Sequence, residues 1–152
     1  MNMIDGTTCL MEVEQLIREY TQMLGRDLSF QKLEEELRDL LRKYSGTEGR
    51  LLAAVADDGC VSGCVAYHRL RKECCEMKRL YVKPSYQGRE SDRSWWKRFF
   101  CLRRMMAIRA WYWIRSSLTS AIRLYKGLGF QETEPYYDNP MEDVIYMKKL
   151  LK

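Results

Sequence analysis

The hydrophobic period of this chain changes after Tyr44, and the change confines the fold more than any other feature. Up to Tyr44 the apolar residues recur at helical spacing. Val13, Leu16, Ile17, Tyr20, Met23 and Leu24 make one stripe over Glu12–Leu24, and Gly25 stops it. Leu33, Leu37, Leu40 and Leu41 make a second stripe over Phe30–Tyr44, broken by Ser45-Gly46. From Leu51 onward the period drops towards two. Leu51–Ala56 reads as a short apolar strand, Asp57-Asp58-Gly59 as a turn, and Val61–Leu70 and Cys74–Val82 as the next two strands. Pro84 and Gly88 mark a loop. Further on, Leu118–Leu128 fits a helix closed by Gly127 and Gly129, and Phe130–Tyr136 and Val144–Leu150 fit two final strands. Helices, then a meander, then a helix between strands predict an α/β chain whose mixed sheet carries helices on its faces.

The length of 152 residues suits one domain, and 46% hydrophobic residues can fill its core. No repeat, low-complexity tract or Pro/Gly-rich linker divides the chain, so residues 1–152 are expected to fold as a single domain. Met1–Thr8 lacks the basic-then-apolar layout of a signal peptide, and no apolar run approaches the roughly 20 residues that span a bilayer. A cytoplasmic protein is the expectation. The six cysteines, Cys9, Cys60, Cys64, Cys74, Cys75 and Cys101, match no zinc spacing. They read as small apolar side chains in a reducing compartment, with no metal.

The net charge of +5 is unevenly spread. Glu90–Arg115 holds seven basic and two acidic residues and all four tryptophans (Trp95, Trp96, Trp111, Trp113). Trp95, Trp96, Phe99, Phe100, Leu102 and Met106 fall on one helical stripe beside arginines. Taken at face value, residues 93–115 offer a basic aromatic helix for nucleic acid, an anionic membrane or an acidic partner, in a binding module rather than an enzyme.

Four segments in order carry a stronger signal. Cys75-Glu-Met-Lys-Arg-Leu-Tyr-Val-Lys-Pro-Ser-Tyr-Gln-Gly88 is similar to the fourth strand and cofactor loop of the GNAT acetyltransferase superfamily. Ala121-Ile-Arg-Leu-Tyr-Lys-Gly-Leu-Gly-Phe130 resembles the helix and turn after that family's fifth strand. Glu134–Pro140 with Val144–Met147 resembles the last strands of a bacterial small-molecule subgroup, and Ile17–Tyr20 with Asp27–Phe30 its first helices. The resemblance covers nearly all of the chain outside residues 90–115. It implies a GNAT-like acyl-CoA N-acyltransferase fold: a mixed, mostly antiparallel sheet of six or seven strands with about four helices. It further implies direct transfer of acetyl from acetyl-CoA, as cosubstrate, to a primary amine of a small molecule or peptide. Neither nucleic acid nor membrane is an expected partner; a homodimer is in keeping with the family.

The resemblance also assigns residues. Leu80, Tyr81 and Val82 fall where family backbone pairs with the pantetheine arm. Gln87, Gly88 and Arg89 begin the pyrophosphate loop. Glu76 falls where some members carry the general base that takes the amine's proton. Tyr125 falls where a tyrosine protonates the leaving thiolate. Strand alternation puts Glu76, Lys78 and Leu80 on one face. The plainer readings are a solvated Glu76 paired with Lys78 or Arg79, and a Tyr125 half in the core. His68, the single histidine, has no partner motif and reads as structural.

One stretch departs from the family. Its loop runs Q/R-x-x-G-x-G/A, because glycines let backbone N–H groups approach the pyrophosphate. Here Glu90 and Asp92 occupy the places of the two later glycines. Carboxylates there repel the anion, so weak or absent acetyl-CoA binding is expected. A shifted reading frame accounts for the departure. Reading each codon's last base with the next two turns Trp95-Trp96-Lys97 into Val-Glu, Met105-Met106-Ala107 into Asp-Gly, and Trp111–Ile114 into Val-Leu-Asp. Permitted codons for Arg89–Asp92 then allow Gly-Ile-Gly. Two compensating indels, near codons 89 and 115, give the chain as written.

Overall fold

The computed structural model of the protein describes residues 1–25, 33–87, 110–116, 122, 125–138 and 144–151, and of 111–116 the backbone. Among these residues seven strands form one sheet: β1 (Asn2–Asp5), β2 (Gly49–Val55), β3 (Val61–Arg71), β4 (Cys74–Val82), β5 (Ala110–Ser116), β6 (Gln131–Glu132) and β7 (Val144–Leu150), in the spatial order β1-β2-β3-β4-β5-β7-β6. Only the β4–β5 pair is parallel; the other neighbours are antiparallel. The expected mixed, mostly antiparallel sheet is what forms.

The sheet is buried on both faces, which explains the continuous apolar run of β2. Leu51 and Ala53 face a cluster with Val13, Leu16 and Ile17 of α1 (Leu10–Leu24) and with Leu33, Leu37, Leu40 and Tyr44. Leu52 and Ala54 face the opposite cluster, which holds Val65, Tyr67, Cys75, Met77, Tyr125, Phe130 and Met147. Gly25 ends α1 in the left-handed region, φ 59°, and its N–H donates to Gln22 O. No helix among the described residues is long and apolar enough to cross a membrane.

Two expectations are corrected, and one strand is added. The helix predicted over Phe30–Tyr44 is, where described, two helices: α2 (Leu33–Arg38) and α3 (Leu40–Tyr44). Asp39 leaves helical geometry and caps α3 by accepting from Arg42 N–H, and the break turns Leu41 out to solvent. The strand predicted over Phe130–Tyr136 keeps only Gln131–Glu132, and Pro135, which has no N–H for a ladder, lies beyond it. β1 gave no signal, being four residues long; its register against β2 (Asn2↔Val55 to Asp5↔Leu52) supplies the pairing. Cys9, Cys60, Cys64, Cys74 and Cys75 carry free thiols; Cys101 lies outside the described residues.

Candidate active site

Where β4 leaves its parallel neighbour decides the geometry of the site. The β4–β5 ladder runs from Cys74↔Ala110 to Met77↔Trp113. Past Met77, β4 stays with β3 as far as Gly63↔Val82, while β5 stays with β7 as far as Ser116↔Val144. The two strands therefore part beyond Met77↔Trp113. A parting of this kind between neighbouring strands gives an extended ligand room to add as a strand.

A bulge sharpens the parting. Between Cys64↔Tyr81 and Ala66↔Lys78 the β4 strand advances by one residue more than β3. The extra residue is Arg79, in the left-handed region at φ 55°. A non-glycine residue holds that conformation only where its surroundings fix it. Here the Arg79 guanidinium donates to Glu36 of α2, Nε to Oε1 at 2.8 Å and Nη2 to Oε2 at 3.3 Å. The Cys64 thiol donates to Arg79 O at 3.3 Å. Glu36 also accepts from Tyr44 OH at 2.7 Å and Lys43 Nζ at 2.5 Å. Burial pushes the Glu36 carboxyl up, but these donors outweigh it and hold it at about 2.

The bulge overturns one expectation. Strand alternation put Leu80 on the face of Glu76 and Lys78. The inserted residue reverses the alternation, so Leu80 packs with Cys75 and Met77 while Tyr81 faces the helices. Tyr81 meets Tyr20 of α1 with ring centroids 5.8 Å apart. Val82 O accepts from Gln87 Nε2 at 2.7 Å, which folds Gln87 back over the turn at Pro84–Tyr86. Tyr86 OH donates to Asp58 at 2.7 Å, tying that turn to the β2–β3 connection. Gly88 and Arg89, the altered loop at Glu90 and Asp92, and the aromatic stripe from Trp95 to Met106 lie outside the described residues.

Glu76 is not a solvated strand residue. It is 2% exposed and holds three donors. His68 Nε2 lies 2.7 Å from Oε2, Lys78 Nζ 3.3 Å from the same oxygen, and Tyr136 OH donates to Oε1 at 2.9 Å. Burial raises the Glu76 carboxyl, while the His68 hydrogen bond, the charges of Lys78 and His68 and the Tyr136 hydroxyl lower it; the net shift is downward. Tyr136 comes from the segment between β6 and β7. It packs edge-on against Tyr137 and Tyr146, with centroids at 5.3 and 5.4 Å. Sequence reasoning gave His68 no partner; its cross-strand register with Glu76 supplies one. The signal was present as two polar residues on neighbouring strands, but the pairing register was needed to join them.

Tyr125 lies on the other face. It is 2% exposed, in the cluster of Cys75 and Met77, with the Phe130 ring edge-on at 5.6 Å. Since Glu76 alternates with those two residues, Glu76 and Tyr125 lie on opposite faces of the sheet.

The sequence profile described as the acetyltransferase (GNAT) family matches residues 11–130. An uncharacterized N-acetyltransferase of Schizosaccharomyces pombe is 38% identical over 139 residues, spanning 90% of this chain and 85% of the relative. The fold is similar to that of a GNAT-family acetyltransferase from Staphylococcus aureus, with TM-score 0.81, 17% identity and 99% of each chain covered. It is also similar to the PaiA N-acetyltransferase of Thermoplasma acidophilum in complex with coenzyme A, with TM-score 0.74, 16% identity, and 99% of this chain and 100% of that one covered. With the strand parting, the β4 bulge and the turn into Gln87 in place, the chain belongs to the GNAT family of acetyl-CoA-dependent acetyltransferases.

Proposed function

We propose that this chain transfers acetyl directly from acetyl-CoA to a primary amine of a small molecule or peptide, in the cytoplasm and as a homodimer. The parting of β4 from β5 after Met77 carries the reading. Leu80, Tyr81 and Val82 offer backbone to the amides of the pantetheine arm, and the thioester then enters the gap. On the helix face, the acceptor amine approaches the cluster around Glu76, with Glu76 the candidate for proton removal. Tyr136, Tyr137 and Asp138 line the approach. On the opposite face, Tyr125 is the proton donor to the departing thiolate. Gln87, Gly88 and Arg89 lead into the pyrophosphate loop. Glu90 and Asp92 weaken that loop in the chain as written, so acetyl-CoA binds above the micromolar range. The two-indel account of residues 89–115 stands or falls on the nucleotide sequence: stop codons in the shifted frame reject it.

The experiment is an initial-rate matrix of acetyl-CoA against polyamines, amino acids, amino sugars and peptide N-termini, at acetyl-CoA concentrations high enough to fill a weak site. Direct transfer gives intersecting reciprocal plots, with thiol released one for one with acetylamine. Parallel plots indicate a covalent acetyl-enzyme and reject direct transfer. Acetyl-CoA bound without transfer to any amine rejects the acceptor class.

A further inference from the structure

The carboxylate assigned to proton removal is poorly placed to meet a substrate. Both oxygens of Glu76 already accept hydrogen bonds, and its side chain is 3% exposed. The net downward shift of its carboxyl keeps it ionised and makes it a weak proton acceptor. His68 is more accessible. Its side chain is 27% exposed, and one ring nitrogen, Nε2, lies 2.7 Å from Glu76 Oε2. An ionised carboxylate at that distance accepts from a proton-bearing nitrogen, so a neutral imidazole here carries its hydrogen on Nε2 and its lone pair on Nδ1. Lys78 and Tyr136 fix the carboxylate from its other sides.

We infer that His68 is the proton acceptor for the substrate ammonium, with Glu76 as the positioning residue that sets its tautomer. The inference rests on the acetyl-transfer reading and deepens it. His68 Nδ1 takes one proton from the ammonium, directly or through one water. The freed nitrogen lone pair forms the bond to the thioester carbonyl carbon. The carbon–sulfur bond breaks with its electron pair on sulfur. The second proton leaving the nitrogen makes up the thiol, relayed by Tyr125, and His68 returns the first to solvent. One proton is released per acetyl transferred. The ionisable groups around the imidazole are Glu76 and Lys78 on β4 and Tyr136 from the β6–β7 segment. Tyr44 of α3 and Tyr146 of β7 stand within electrostatic reach of Glu76. Gly49, opposite His68 on β2, adds none.

Since the chain has a single histidine, every imidazole signal belongs to His68. The decisive variant is His68→Gln, whose amide N–H still donates to Glu76 but cannot take a proton. Expected results are a kcat lower by about 100-fold, an acetyl-CoA KM within about twofold of the wild type, and loss of the acid limb of the rate profile. In nitrogen NMR the wild-type ring should show hydrogen on Nε2 near neutral pH, and Glu76→Gln should abolish that preference. A His68→Gln kcat within about threefold of wild type overturns the inference and leaves acetyl transfer intact. Hydrogen on Nδ1 in the wild type overturns it as well. A wild-type protein that binds acetyl-CoA but acetylates no amine sinks the reading beneath it, and the inference with it.

Discussion

Replacing Glu36 by Gln keeps the side chain's size and removes its charge. The Arg79 side chain, 4% exposed, then lies buried without its counter-charge, at a position whose φ of 55° already needs support. Two lines of reasoning give the magnitude. Removing one partner of a buried pair costs about 3–5 kcal/mol. Independently, the Glu36 carboxyl falls from 4.5 to about 2 on folding. At about 1.4 kcal/mol per pH unit, that shift amounts to about 3 kcal/mol. For a domain of this size each kcal/mol moves Tm by about 2–4 °C, so Glu36→Gln should lower Tm by about 6–12 °C near neutral pH. The sign with pH follows from a depressed folded-state value. The stabilisation is complete above 4.5 and is lost as pH falls towards about 2, so the wild type should lose it there while the variant has none to lose. Thermal unfolding of both proteins across that range tests the argument. A variant within about 2 °C of wild type near neutral pH, or a gap that does not narrow on acidification, would refute it.

Gly63→Ala should cost about 2 kcal/mol in urea unfolding and raise the acetyl-CoA KM several-fold. A Cβ there meets Tyr81 O at 2.9 Å and Val82 Cγ2 at 3.0 Å, so the segment proposed to carry pantetheine must move. Tyr136→Phe removes the donor at 2.9 Å from Glu76, so the Glu76 carboxyl should titrate at higher pH than in the wild type when followed by carbon NMR; an unmoved carboxyl means the hydroxyl does not act on Glu76. Glu90→Gly with Asp92→Gly should tighten acetyl-CoA binding by at least about tenfold in calorimetry, because two carboxylates leave the pyrophosphate's approach. No gain would mean that the chain after the loop is displaced too.

Periodicity alone placed α1, β3, β4 and β7 nearly to the residue, because each is long enough for its buried faces to repeat. It joined α2 to α3, since Leu33, Leu37 and Leu40 continue one stripe across Asp39 and only the cap at Arg42 N–H reveals the break. It missed β1, whose four residues are strand only against β2.

Residue types and their order determined the family and the candidate positions Glu76, Tyr125 and Leu80–Val82, because those motifs are local and keep their spacing in the chain. Tertiary structure alone decided how the positions meet. The bulge at Arg79 exists because Glu36, 43 residues away, neutralises its side chain in the core. That bulge turned Leu80 to the opposite face. The register of β3 on β4 gave His68 its carboxylate, and the β6–β7 segment brought Tyr136 to the other oxygen. Hydrogen bonds and ion pairs between distant residues leave no period in a sequence, so the proton network could be read only once the strands were paired.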